Sequence, residues 1–349
     1  MKSKISILIV DDSAFIRLLI NDLLSQEPDL EVVGSATNGK EAVEQTLALK
    51  PDVVLMDMTM GEFDGLYGVE HIMKTHPTPI LILSSIGNTN LDPIFDALRL
   101  GAVDYINKPK RGGSKIREMD LELIQRIKKV AKAKPRTIDT HEPSTLIKKK
   151  TIHSKGNFDI VIIGASTGGP SAVEKIVTNL PKDLGVPVVI IQHMPENFIP
   201  SFASRLDGLS ELKVEVAQIG QPMPQNTVLI APGNTNIVLK KSANNEFIIG
   251  ATSESYKEYN NPSINAFMLS AAEICGKKCL SIILTGMGKD GTRGIQEIKK
   301  SGGLTVAQDE SSSIIFGMPK HAIASGCIAE VLNISEIADF IIKKVQNER

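Results

Sequence analysis

Residues 160–172, Ile-Val-Ile-Ile-Gly-Ala-Ser-Thr-Gly-Gly-Pro-Ser-Ala, leave few folds open to this chain. A uniformly apolar run enters a glycine turn, and a proline then starts a helix. A strand buried on both faces and followed by a helix belongs to a parallel sheet covered on both sides. The turn after such a strand lies at the carboxyl edge of the sheet, with a helix amino terminus aimed over it. Ser166 sits in that turn. Two readings follow: a mount for a nucleophilic hydroxyl, or a phosphate-binding glycine loop with an incidental serine.

The same alternation of apolar runs and helical periodicity recurs in two blocks, which predicts an α/β fold of two doubly wound domains with mainly parallel sheets. In the first block strands are expected near 5–10, 31–36, 52–57, 79–84 and 102–107, with a last helix over about 115–133. Ile116, Met119, Leu123, Ile127 and Val130 give that helix one apolar stripe. Periodicity then stops, and Pro135, Pro143, Lys148 to Lys150 and Gly156 mark a polar tether. The second block predicts strands near 159–164, 187–192, 226–231, 279–285, 303–308 and 328–332, and helices near 170–180, 263–275, 291–301 and 334–345. The expected division is a first domain over 1–130, a linker over 131–157 and a second domain over 158–349.

Bulk properties exclude several classes. A formal net charge of −1 over 349 residues argues against a nucleic-acid binder, which needs a positive face. The basic run in the tether reads as a solvated segment. Cys275, Cys279 and Cys327 have neither zinc-knuckle nor Cys-x-x-Cys spacing, so buried thiols in a reducing cytoplasm are expected. The apolar stretch before Asp11 is too short for a signal-peptide core or a membrane span, so no membrane insertion is expected.

In an open parallel sheet functional residues gather at the carboxyl ends of the strands. In the first block these ends carry Asp11 and Asp12, Asp57, Ser84, and Lys108 before Pro109. Three converging carboxylates repel one another unless a cation neutralises them, and hard oxygen donors suit Mg²⁺. A carboxylate so held can serve as a nucleophile toward a phosphoryl donor, with Ser84 and Lys108 holding phosphoryl oxygens. With Met-Asp57-Met, Asp64-Gly65 and Ala-Val-Asp-Tyr105-Ile-Asn-Lys108-Pro109, residues 4–130 resemble the receiver domain of two-component response regulators, a flavodoxin-like fold. The resemblance implies that Asp57 is the phosphoacceptor. It also implies Mg²⁺ on Asp11, Asp12, Asp57 and the Thr59 carbonyl, and a switch formed by Ser84 and Tyr105 with Lys108. One departure is Met60-Gly61, where that family usually has Met-Pro; glycine is expected to loosen the loop.

A serine hydroxyl attacks only when a base removes its proton and donors stabilise the oxyanion. His193, in Gln-His-Met-Pro, follows the strand expected near 187–192 and is the base at the same height as Ser166. His321 reads as a polar helix residue, His141 and His153 fall in the tether, and His71 and His76 fall in the first block. The carboxylate partner is Asp290, in Thr285-Gly-Met287-Gly-Lys-Asp290-Gly, with Asp309 the runner-up. The order Ser166, His193, Asp290 differs from that of α/β-hydrolases, although Gly164-Ala-Ser166-Thr-Gly168 fits Gly-x-Ser-x-Gly. A dinucleotide site is disfavoured: Gly-x-Gly-x-x-Gly is missing, and Gln192-His193 stands where an acidic ribose ligand belongs.

Together with Ala-Pro-Gly233, Ala-Gln-Asp-Glu310 and Phe-Gly-Met-Pro319, these motifs make residues 157–345 similar to the catalytic domain of chemotaxis protein-glutamate methylesterases, the CheB family. That resemblance implies a Rossmann-like domain that hydrolyses glutamyl methyl esters on methyl-accepting chemotaxis receptors and deamidates selected glutamines, without a cofactor for the ester chemistry. Oxyanion donors are expected near Thr167 and Met287. The phosphodonor would be the chemotaxis histidine kinase, and phosphorylation would free a Ser166 face covered by the receiver. Asn260, Asn261 and Asn265 depart from the family pattern, with consequences expected for substrate contact. Two other outputs are conceivable: an adaptor that docks on receptors without catalysis, and a DNA-binding regulator. The latter needs a basic recognition helix that residues 158–349 do not offer.

Overall fold

The computed structural model describes residues 4–84, 91–108, 116–135, 157–254, 256 and 262–346. The chain divides into two compact units, Met1–Thr145 and Leu146–Arg349.

In the first unit five strands alternate with five helices: β1 (Ile5–Val10), α1 (Ala14–Leu24), β2 (Leu30–Ala36), α2 (Gly39–Leu49), β3 (Val53–Asp57), α3 (Gly65–Thr75), β4 (Ile80–Ser84), α4 (Asp92–Arg99), β5 (Asp104–Asn107) and α5 (Ile116–Val130). The sheet order is β2-β1-β3-β4-β5, and every pair is parallel. Strands β3 and β4 are buried along their whole length, which their unbroken apolar sequences require. The order reverses between β1 and β3, so Asp11 and Asp57 flank the crevice at that switch point.

The second unit holds β6 (Ile160–Ala165), α6 (Gly169–Val177), β7 (Val188–Gln192), α7 (Ile199–Leu209), β8 (Lys213–Val216), β9 (Thr227–Ile230), β10 (Asn236–Lys241), β11 (Phe247–Thr252), α8 (Ile264–Cys275), β12 (Cys279–Ile283), α9 (Thr292–Lys300), β13 (Leu304–Gln308), α10 (Met318–Ala324), β14 (Glu330–Leu332) and α11 (Ile334–Val345). Seven strands form one parallel sheet, β14-β13-β12-β6-β7-β9-β8, while β10 and β11 pair antiparallel in a separate hairpin. Ile160, Ile162, Val189 and Ile191 pack with Phe267 and Met268 of α8 in a buried cluster on one side of the sheet. An ion pair between Arg205 and Glu174, 2.7 Å long and largely shielded from solvent, ties α7 to α6.

The two parallel sheets agree with the sequence reading. Four elements were not anticipated there: α7, the edge strand β8 and the two strands of the hairpin β10–β11. Strand β12 also stops at Ile283 rather than 285, because Thr285 leaves the ladder to donate its backbone N–H to Gln308 Oε1 at 2.7 Å.

Candidate functional site

Strand β6 is the centre of the candidate site, with β7 on one side and β12 on the other. Ala165 and Gln192 are register partners, so Ser166 and His193 are the next residues beyond adjacent strand ends. The His193 N–H donates to the Ala165 carbonyl at 3.0 Å, and the Ser166 N–H donates to the Thr285 carbonyl at 3.1 Å. The Ser166 turn is thereby tied to both neighbouring strands. Ser166 and His193 are partly accessible, whereas Asp290 is 1% exposed.

His193 Nε2 and Asp290 Oδ2 lie 2.9 Å apart. A carboxylate only accepts, so Nε2 carries the hydrogen of this bond. The Asp290 carboxylate rests on the amino terminus of α8. Oδ2 also accepts from the Ile264 N–H at 2.8 Å. Oδ1 accepts from the Asn265 N–H at 3.0 Å, the Gly291 N–H at 2.8 Å and the Ser263 hydroxyl at 3.3 Å. Burial alone would push the Asp290 carboxyl up, but His193 and the α8 amides outweigh it and hold the carboxyl below the ordinary range. Ser263 is the N-cap of α8, and the Asn236 side chain fixes it by accepting the Ser263 N–H at 2.7 Å.

The turn carrying Met287 comes close to the serine: a Cβ built on Gly286 would lie 2.7 Å from Ser166 Cβ. Thr167 is buried, and its carbonyl accepts the Thr285 hydroxyl at 3.0 Å. Thr167 and Met287 thus both flank the serine.

Other expectations resolve differently. Asp309 is bonded to Ser311, Ser312 and Asn333 and organises the loop after β13, so the runner-up carboxylate serves that turn. His321 Nδ1 lies 2.9 Å from the Gly317 carbonyl at the start of its own helix. His71 stacks on Tyr67 in the first unit, at 3.9 Å between ring centroids. Asn265 is wholly buried, and its Oδ1 accepts the Gly294 N–H at 2.9 Å. It joins α8 to α9. Asn260 and Asn261 lie outside the described residues, as do Pro109, His141 and His153.

Four residues of this edge were not singled out from the sequence: Gln192, Thr285, Gln308 and Ser263. Each is buried and polar. Gln192 and Gln308 close apolar strands, a position where an uncharged amide has the most backbone groups to serve, and that was the available signal.

In the receiver unit one oxygen each of Asp11, Asp12 and Asp57 lies within 4.8 Å of the others. Lys108 Nζ bridges two of these carboxylates, 2.7 Å from Asp11 Oδ2 and 2.8 Å from Asp57 Oδ2. The Ser13 N–H donates to Asp11 Oδ1 at 2.9 Å, and Arg17 Nη1 donates to the Asp11 carbonyl at 2.7 Å, which fixes the loop. Burial pushes the Asp57 carboxyl up from the ordinary range; Lys108 and the Thr59 N–H oppose this and do not overcome it. Lys108 is itself raised, since its bonds to Asp11 and Asp57 outweigh its burial. This donor set, hard oxygens with two of the three carboxylates buried, fits a divalent cation such as Mg²⁺. Ser84 Oγ is buried with no hydrogen-bond partner among the described residues. Tyr105 pairs in register with Ile82, which puts its side chain on the same sheet face as that of Ser84. The Tyr105 ring is buried. Gly61 has φ +72°, a conformation closed to proline. The Met-Gly departure is therefore a different turn, not a looser copy of the same one.

Comparison with known proteins agrees with this architecture. Residues 161–341 match the model of the CheB methylesterase family, and residues 7–119 match that of the response regulator receiver domain. A protein-glutamate methylesterase/protein-glutamine glutaminase of Carboxydothermus hydrogenoformans is 40% identical, covering 99% of this chain and 100% of its own. One from Thermotoga maritima is 39% identical, with 98% of each chain covered. The crystal structure of the Thermotoga maritima CheB methylesterase catalytic domain superposes with a TM-score of 0.52 at 39% identity, covering 53% of this chain and 98% of that one.

Proposed function

This chain belongs to the CheB methylesterase family, and we propose that Ser166, His193 and Asp290 carry out its glutamyl ester hydrolysis under control of the receiver domain. The observation that carries this reading is the 2.9 Å His193–Asp290 bond at the strand ends flanking the Ser166 turn. Ser166 Oγ attacks the ester carbonyl while His193 takes its proton at Nδ1. The tetrahedral intermediate collapses to an acyl-enzyme, and the same proton passes to the departing methanol. Water, deprotonated by His193, then releases glutamate and restores the hydroxyl. With a glutamine substrate ammonia leaves in place of methanol. Asp290 orients the imidazole and balances its positive charge. Backbone N–H groups at Thr167 and Met287 are the proposed oxyanion donors, each worth about 3 kcal/mol of barrier.

The substrates are methylated glutamates of chemoreceptor signalling domains, and the phosphodonor is the cognate histidine kinase, both in the cytoplasm. Among the described residues no helix is long and apolar enough to cross a membrane. In the receiver, Asp57 accepts the phosphoryl group, and Ser84, Tyr105 and Lys108 respond to it. Asp11, Asp12, Asp57 and the Thr59 carbonyl would hold Mg²⁺, which when bound neutralises charge on the phosphoryl oxygens.

Methanol release from methylated receptor membranes tests both halves. Ser166→Ala should lose about 10⁴-fold or more of the activity while still binding receptors. A retained activity would exclude Ser166 as nucleophile. A small phosphodonor should raise wild-type release and leave Asp57→Asn at its basal rate. An equal response in Asp57→Asn would remove Asp57 as the acceptor.

A further inference from the structure

We propose that Gln192 is the positioning residue that sets the separation of Ser166 and His193, an assignment resting on the reading of those two as nucleophile and base. Gln192 is the last residue of β7 and is 1% exposed. Its Nε2 donates to the Ser166 carbonyl at 2.9 Å and to the His193 carbonyl at 3.0 Å. One planar amide therefore spans the two strand ends just where the sheet ladder between them stops.

The arrangement is costly in a way that an ordinary core residue would avoid. Gln192 Oε1 is buried with no hydrogen-bond partner among the described residues. It lies against the backbone of Gly169, where a Cβ would sit only 2.1 Å from it. A second position is thus committed to making room for this amide. The Gly169 N–H also donates to the Ser166 carbonyl at 2.7 Å, so the same oxygen closes the turn that presents the hydroxyl. A methionine of similar length would fill the space and remove the unpaired side-chain oxygen. The glutamine is explained by its two donated hydrogen bonds, which hold the nucleophile and the base to one geometry.

Gln192 is too deep to touch substrate, so its loss should act on proton transfer and not on binding. In full-length Gln192→Met, kcat per folded molecule for methanol release should fall about 10- to 100-fold with KM within about twofold of wild type. Gln192→Glu keeps the shape but donates only when its carboxyl is protonated, so its kcat relative to wild type should decline as pH rises. Thr305→Val removes another buried hydroxyl, one that donates to the Cys327 carbonyl at 2.6 Å. It should lower the melting temperature and leave kcat per folded molecule unchanged. A Gln192→Met kcat within about twofold of wild type, or a pH-independent Gln192→Glu ratio, overturns the assignment. Activity surviving Ser166→Ala would instead overturn the reading beneath it.

Discussion

Asp57 closes strand β3 and Asp290 lies in the turn between β12 and α9; they are 3% and 1% exposed, and their surroundings treat them in opposite ways. Asp57 shares one lysine with Asp11, so burial wins and its carboxyl is pushed up. Asp290 is met by three backbone N–H groups, one hydroxyl and an imidazole, and its carboxyl is pulled down. Their solvent exposure is nearly the same, so the donor count decides. The difference suits the two tasks. The carboxylate proposed to become covalently modified is left short of partners. The one proposed to stay charged through turnover is saturated with them.

The largest test of this contrast is Asp290→Asn. It removes the acceptor that fixes the proton on His193 Nε2, and kcat should drop about 10⁴-fold with the fold retained. A loss of less than tenfold would mean that the carboxylate charge is not needed.

The second test sets the two residues against each other by stability. The folded pKa of Asp290 lies below its unfolded value, so its contribution is full above the ordinary carboxylate range and is lost as pH falls through the depressed value. The folded pKa of Asp57 lies above its unfolded value, so stability is lost as pH rises through the raised one. At neutral pH Asp290→Asn should lower the melting temperature and Asp57→Asn should raise it. Both differences should shrink toward pH 3. Calorimetry giving the same sign for the two variants would break the comparison.

The smallest expected effect is Ser263→Ala. It deletes the α8 cap and the longest of the Asp290 contacts, 3.3 Å, while leaving the three N–H donors. A loss of about 1 kcal/mol in stability is expected, measured by urea denaturation. The accompanying drop in kcat should stay below tenfold, because the remaining donors still hold the carboxylate.

Much of the site was legible before any coordinates. Asp11, Asp57, Lys108, Ser166, His193 and Asp290 each follow an apolar strand, and a parallel sheet leaves the ends of its strands few places to go. The elements that escaped had weak local signals. Strand β8 is four residues, Lys-Val-Glu-Val, at a sheet edge. Helix α7 carries Pro200 and Gly208 within Ile199–Leu209, both poor helix formers. The hairpin β10–β11 stands outside the strand–helix alternation, and its tight connection uses Asn245 at φ 65°. The structural partners of Asn265, Asp290 and Gly294, were not legible because they are distant in sequence.

By itself the sequence determined the two parallel sheets, the glycine turn that carries Ser166 and the acidic crevice, because strand burial and turn chemistry are local and periodic. Only the tertiary structure decided which of Asp290 and Asp309 meets His193, and which nitrogen of the ring it takes. It alone showed how the amino terminus of α8 keeps that carboxylate charged and how Gln192 bridges the strand ends of Ser166 and His193. Those outcomes depend on hydrogen bonds between segments far apart in the chain, and no period or spacing within one segment encodes them.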